Sequence, residues 1–205
     1  MMTLEEALQT LSDYRTDEVV VTTMSGNLIW PGVSQSDADL IFTAPMGGVP
    51  GTATGIALAR PDVPVWAING DGSAAMYLSY FINIPAAAPK NLIYFLMNNS
   101  EWGLIGHVNL PGAGRVDFSG IARSSGWDSV HSVGSLPDLK ALLPRIVKAP
   151  GPIFVNLEVE KAMELQAGTA EYARRMGAPK AARSYGKSGI ANVRAYLAGM
   201  ALPAK

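Results

Sequence analysis

The chain has 205 residues, 48% of them hydrophobic and 16% charged, with a formal net charge of −1. That length suits one core with an appendage, and the apolar share fills it, which excludes a disordered or collagen-like chain. The chain has no cysteine and only two histidines, His107 and His131, so disulfides, thiolate chemistry and histidine-rich metal clusters are excluded. No apolar run approaches the roughly 18 residues of a membrane span. The N-terminus, MMTLEEALQT, lacks the basic flank and apolar run of a signal peptide, so the expected location is the cytoplasm with no membrane partner.

Taken in order, Thr3 and Glu6 form a capping box that opens a helix through about Arg15. The β-branched run Glu18–Thr23 predicts a strand, followed by a Gly/Pro-containing loop and a short strand near Leu40–Thr43. Gly-rich Pro45–Gly51 leads into a helix that Pro61 stops near Arg60. Val63–Asn69 predicts a buried strand, Gly70-Asp71-Gly72 a sharp turn, and Ser73–Ala88 a mostly helical stretch containing Pro85. Asn91–Met97 is apolar on both faces, as central parallel strands are. A helix at Phe118–Ser125, a strand at Ser129–Val133, a helix at Leu136–Lys148 and a strand at Ile153–Val159 follow. Strands alternating with helices predict a doubly wound parallel sheet with helices on both faces.

Charge divides the chain. Residues 1–160 hold 8 basic against 15 acidic side chains, and residues 161–205 hold 8 against 2. The expected division is an acidic domain over 1–160 and a basic, helical C-terminal extension over 161–205, with helices at Glu164–Met176 and Ile190–Met200. Its cations are dispersed among Ala, Gly and Tyr, so packing on the acidic body or on a partner chain is expected ahead of nucleic-acid binding.

Ligands of open parallel sheets bind beyond the carboxyl ends of the strands. Gly70-Asp71-Gly72-Ser73 falls at one such end and Asn98-Asn99 at another, and Asp71 and Asn99 stand 28 residues apart, room for one helical crossover. Neighbouring strand ends lie about 5 Å apart, which brings a carboxylate and a carboxamide oxygen to one hard cation such as Mg²⁺ or Ca²⁺. The remaining ligand sites of such an ion suit phosphate oxygens, and the glycines and the Ser73 hydroxyl suit a phosphate-bearing cofactor. Two ordinary turns are the plain alternative.

GDGS followed at this distance by NN, and preceded by APMGGVPGTATGIALARPDVPVWAI, resembles the diphosphate-binding domain of thiamine-diphosphate enzymes of the 2-oxoacid decarboxylase group. The resemblance spans about residues 20–160 and extends to the short, separately encoded subunits of sulfopyruvate and phosphonopyruvate decarboxylases. It implies the thiamine-diphosphate-binding fold, with thiamine diphosphate and Mg²⁺ as cofactors. Asp71, Asn99 and the main-chain oxygen of Glu101 would hold the metal. Gly47, Gly70, Gly72, Ser73 and Ala74 would border the cofactor, with Met46 beneath its rings and the Ala44 carbonyl accepting from its aminopyrimidine. Met46 is otherwise ordinary core.

The resemblance also implies a missing part. The glutamate that activates the cofactor sits in this family on a separate pyrimidine-binding domain, and only about 17 residues precede the first predicted strand. The expectation is therefore a hetero-oligomer, a dimer of heterodimers, in which a partner chain supplies that domain and a small 2-oxo acid is decarboxylated. A carboligase of the acetolactate-synthase kind and a non-catalytic cofactor-binding subunit are the alternatives. His107 is either a proton donor to substrate or a solvated loop residue, and Trp102 either walls the pocket or packs. Ser25-Gly26-Asn27 would touch substrate or partner, His131 is structural, and Ser184-x-x-Lys187 matches a serine–lysine pattern by chance.

Overall fold

Six parallel strands form the sheet, and all but the edge strand at Ser129–Val133 are buried on both faces for most of their length, which requires helices above and below. The computed structural model describes residues 1–41, 46–162, 169–171, 174 and 186–200. The strands are β1 (Val19–Thr22), β2 (Asp39–Ile41), β3 (Val65–Gly70), β4 (Leu92–Asn98), β7 (Ser129–Val133) and β8 (Ile153–Glu158), in the order β2-β1-β3-β4-β8-β7. Alternate residues face opposite layers. Val20, Ile68 and Phe95 pack under α1 (Leu4–Tyr14), α2 (Ser25–Val33) and α7 (Leu136–Ile146). Val21, Ala67 and Leu96 pack under α3 (Gly48–Ala59), α5 (Ser79–Ala87) and α6 (Phe118–Ser124). The doubly wound parallel sheet expected from the alternation is the observed architecture.

Three local expectations needed correction. The Gly/Pro-containing segment after β1 is not a loop but helix α2, with Pro31 inside it and Leu28, Ile29 and Trp30 buried. Gly26 lets this helix lie on the sheet, since a Cβ there would already stand 3.3 Å from Met97 Cε; burial overrides the weak helix propensity of Gly and Pro. The stretch Ser73–Ala88 is two helices, α4 (Asp71–Met76) and α5, broken at Tyr77 and Leu78. Helix α4 starts at Asp71, so that residue opens a helix where a turn was expected. A small antiparallel hairpin, β5 (Glu101–Trp102) with β6 (Val108–Asn109), rises from the loop after β4.

The Thr3–Glu6 capping box forms as expected, with Thr3 Oγ1 accepting from the Glu6 N–H at 3.1 Å and Glu6 Oε2 accepting from the Thr3 N–H at 2.9 Å. Helix α8 (Gly186–Gly199), in the basic extension, lies against edge strand β2, its Val193 buried. Arg60 donates to the Leu197 carbonyl and Tyr196 to that of Asp17, so this part of the extension packs on the body and shields a sheet edge. Among the described residues no helix is long and apolar enough to cross a membrane. The expected helix Glu164–Met176 lies mostly outside the described residues, as do Ala44 and Ser184.

Candidate cofactor and metal site

The order of strands reverses between β1 and β3, the chain running outward to β2 on one side and to β4 on the other. Loops leaving such a switch point diverge and leave a crevice beyond the strand ends. A groove opens there, lined by Met24 and Ser25 after β1, by Gly70 to Ser73 at the end of β3, and by Asn99 and Glu101 after β4.

Asp71 lies in this groove with 2% of its surface exposed. Its Oδ1 accepts from the Gly72 N–H at 2.8 Å and its Oδ2 from the Ser100 N–H at 2.6 Å. Ser100 adopts φ 61°, a left-handed conformation that points its N–H back at the aspartate. Gly70 and Met97 are register partners, so the residues just beyond them come together as the spacing suggested. Burial pushes the Asp71 carboxyl up to about 7, against the N–H groups of Ser100, Gly72 and Asn99, which lower it. Among the described residues no Lys, Arg or His pairs with it. A buried carboxylate held by amides alone lacks a cation.

That donor chemistry fits Mg²⁺. Asn99 is half-buried in the same groove, its Oδ1 accepting a long 3.3 Å bond from the Glu101 N–H, and carboxylate and carboxamide oxygens are both hard ligands. No group of three His, Cys, Asp or Glu side chains among the described residues could hold an ion. An ion here therefore depends on one carboxylate, with carboxamide, main-chain and ligand oxygens completing its shell.

The segments around Asp71 are tightly fitted. Ser73 is buried and its Oγ accepts from the Gly47 N–H at 3.1 Å, tying the start of α4 to the start of α3. Gly47 adopts φ 89°, and a Cβ there would collide with the Tyr77 ring. Gly72 lies against the edge of the Trp102 indole, where a Cβ would stand 2.5 Å from Nε1. Gly70 and half-buried Met46 line the groove, and Ala74 is buried behind it.

Sequence reasoning singled out Glu101 for its main-chain oxygen, but its carboxylate forms a cluster of its own. The side chain is fully buried, with His107 Nδ1 2.7 Å from Oε1 and Lys161 Nζ 3.1 Å from Oε2. Lys161 also donates to Asn109 Oδ1 at 3.2 Å, so the chain after β8 fastens both strands of the hairpin. His107, at φ 57°, turns its ring onto this carboxylate and is not among the groove-lining residues. Nothing in the sequence pattern pairs Lys161 with Glu101, because the contact joins two segments 60 residues apart. Ser25 lines the groove; Asn27 instead faces inward, accepting from Thr22 Oγ1 at 2.7 Å. His131 sits on β7 beside Ser129, away from the groove.

Residues 34–157 match the C-terminal TPP binding domain of thiamine pyrophosphate enzymes. The chain is 31% identical over 123 residues to the phosphonopyruvate decarboxylase of Streptomyces hygroscopicus, covering 60% of this chain and 30% of that protein. It is 26% identical over 160 residues to the sulfopyruvate decarboxylase subunit beta of Methanothermobacter thermautotrophicus, covering 76% of this chain and 80% of that subunit. A solved structure described as that of a thiamin diphosphate-dependent enzyme isolated from Mycobacterium smegmatis shares the fold, with a TM-score of 0.67 at 22% identity over 78% of this chain and 32% of its own. The chain thus spans about a third of the length of the phosphonopyruvate decarboxylase. From the match over residues 34–157, the chain belongs to the thiamine pyrophosphate enzyme family, as a carrier of its C-terminal TPP binding domain.

Proposed function

We propose that this chain is the Mg²⁺- and thiamine diphosphate-binding subunit of a cytoplasmic, heteromeric 2-oxo acid decarboxylase. The single observation that carries the reading is the buried Asp71 carboxylate, gripped by backbone amides and paired with no Lys, Arg or His among the described residues. In this reading Asp71, Asn99 and the Glu101 carbonyl hold Mg²⁺, and Gly47, Gly70, Gly72, Ser73 and Ala74 border the diphosphate. Met46 supports the rings, and the Ala44 carbonyl accepts from the aminopyrimidine. When bound, thiamine diphosphate supplies a nucleophilic carbon for the ketone and a ring that takes up the electrons left by CO₂. The chain's own residues bind it, hold its metal and keep water from the reacting carbon. His107 reaches the groove only through its contact with Glu101, which lines it, so any proton-donor role would run through that carboxylate.

A partner subunit carrying the activating glutamate completes the site. Glu6 is spent on the helix cap and Glu101 is held by His107 and Lys161, so neither is free for that task. At the groove itself, Ile105 leaves 70% of its surface exposed, an apolar side chain that a partner could cover. The relative from Methanothermobacter thermautotrophicus is itself named a subunit beta. Domain 1–160 carries the site in this reading, and extension 161–205 braces it through α8.

The test is decarboxylation of phosphonopyruvate, sulfopyruvate and pyruvate by the chain alone and by its mixture with a pyrimidine-domain subunit. Turnover only in the mixture is expected. Robust turnover by the isolated chain would refute the heteromeric part of the reading.

A further inference from the structure

Two groove-lining residues carry a buried polar atom without a hydrogen-bond partner among the described residues. One is Glu101 Oε2, which at least has Lys161 Nζ 3.1 Å away. The other is Trp102 Nε1, which has no such compensation. An indole nitrogen can only donate, and a donor taken out of water without an acceptor loses a hydrogen bond for no return. Two other buried indoles are satisfied: Trp30 Nε1 donates to Asp39 Oδ1 and Trp127 Nε1 to the Phe81 carbonyl, both at 2.9 Å. Trp102 differs from both, and it lies at the groove.

Its position says what it lacks. The edge bearing Nε1 lies on Gly72, close enough that any side chain at residue 72 would strike it. The Gly72 N–H is itself a donor, given to Asp71 Oδ1, and offers the indole no acceptor. The ring is held from behind by the hairpin, where Trp102 pairs with Val108 and the neighbouring Glu101 is anchored by His107 and Lys161. A donor fixed at this point, beside a carboxylate that lacks its cation, is matched to an anionic oxygen arriving with that cation.

We propose that Trp102 is a ligand-binding residue whose Nε1–H donates a hydrogen bond to a phosphate oxygen of the diphosphate held over Gly72. The inference rests on the site reading above and adds to it a residue and an atom. An indole serving only as an apolar wall would be replaced by phenylalanine without loss, whereas a charge-assisted hydrogen bond would not.

The experiment uses the full ¹⁵N-labelled chain, whose four tryptophans give four indole N–H resonances, assigned by triple-resonance methods and checked with Trp102→Phe. Adding Mg²⁺ with thiamine diphosphate, or Mg²⁺ with inorganic pyrophosphate, should move the Trp102 resonance downfield. Adding Mg²⁺ with thiamine, which has no phosphate, should leave it in place. Calorimetry should give Trp102→Phe an affinity for thiamine diphosphate lower by about ten-fold, the scale of one hydrogen bond to a charged group. The wild-type spectrum decides independently of whether the variant folds. Binding heat with an unmoved Trp102 resonance, or equal affinities for wild type and Trp102→Phe, would overturn the inference. No binding heat for either phosphate ligand in the wild type would instead sink the site reading, and this inference with it.

Discussion

At the N-terminal end of β2, Asp39 is 2% exposed and fully compensated: Arg15 lies 2.5 Å from Oδ1, Trp30 Nε1 donates to the same oxygen, and Ser34 Oγ donates to Oδ2 at 2.7 Å. At the C-terminal end of β3, Asp71 is equally buried and, among the described residues, has only backbone amides as partners. Taking a carboxylate out of water costs several kcal/mol unless a partner of opposite charge offsets it. The first aspartate meets that cost within the fold and so reads as structure. The second leaves it unmet, which makes sense if the offsetting charge comes from outside.

Substitutions should separate the two. Asp39→Ala leaves Arg15, whose side chain is 5% exposed, without its partner, and should lower stability by about 3–5 kcal/mol in urea denaturation. Asp71→Ala removes an uncompensated charge and should cost the metal-free fold far less, while binding of Mg²⁺ and cofactor falls by at least about 100-fold, the scale of losing one charged ligand.

pH sharpens the contrast. Burial lifts Asp71 from its ordinary 3.8 to about 7, so the folded chain holds that proton more tightly than the unfolded one. Its contribution to metal-free stability is fully present below 3.8 and is lost as pH rises through about 7. Metal binding runs the other way, because Mg²⁺ must displace the proton, and should strengthen as pH rises through that range. Asp71→Asn should flatten both profiles, read by thermal denaturation and by calorimetric titration at several pH values.

Smaller effects follow from the fit around the groove. Gly47→Ala forces a side chain at φ 89° into the Tyr77 ring and should cost about 1–3 kcal/mol, seen as a lower unfolding midpoint. Lys161→Ala should cost at most about 1 kcal/mol, since its side chain is 47% exposed and water competes for the pair.

What was legible in the sequence divides along physical lines. The strands were readable because Val19–Val21 and Leu92–Met97 are apolar on both faces, a local property of the chain. The juxtaposition of Asp71 with Asn99 and Ser100 was readable because one crossover between neighbouring parallel strands fixes both ends. Helix α2 was not, since Gly26, Pro31 and Gly32 argue for a loop, and only packing against the sheet makes them helical. Nor was the Glu101–Lys161 contact, or the indole on Gly72, because both depend on how a short hairpin folds back over the strand ends. Periodicity carries the scaffold; contacts made by loops are set by the tertiary structure.

In the proposed reading, Asp71 receives a divalent cation that brings a diphosphate with it. Calorimetric titration of thiamine diphosphate in the presence of Mg²⁺, run on the wild-type chain and on Asp71→Ala, tests it most directly. Saturable, Mg²⁺-dependent binding by the wild type that disappears in the variant is the predicted result. Equal binding by the two chains, or wild-type binding indifferent to Mg²⁺, would contradict it.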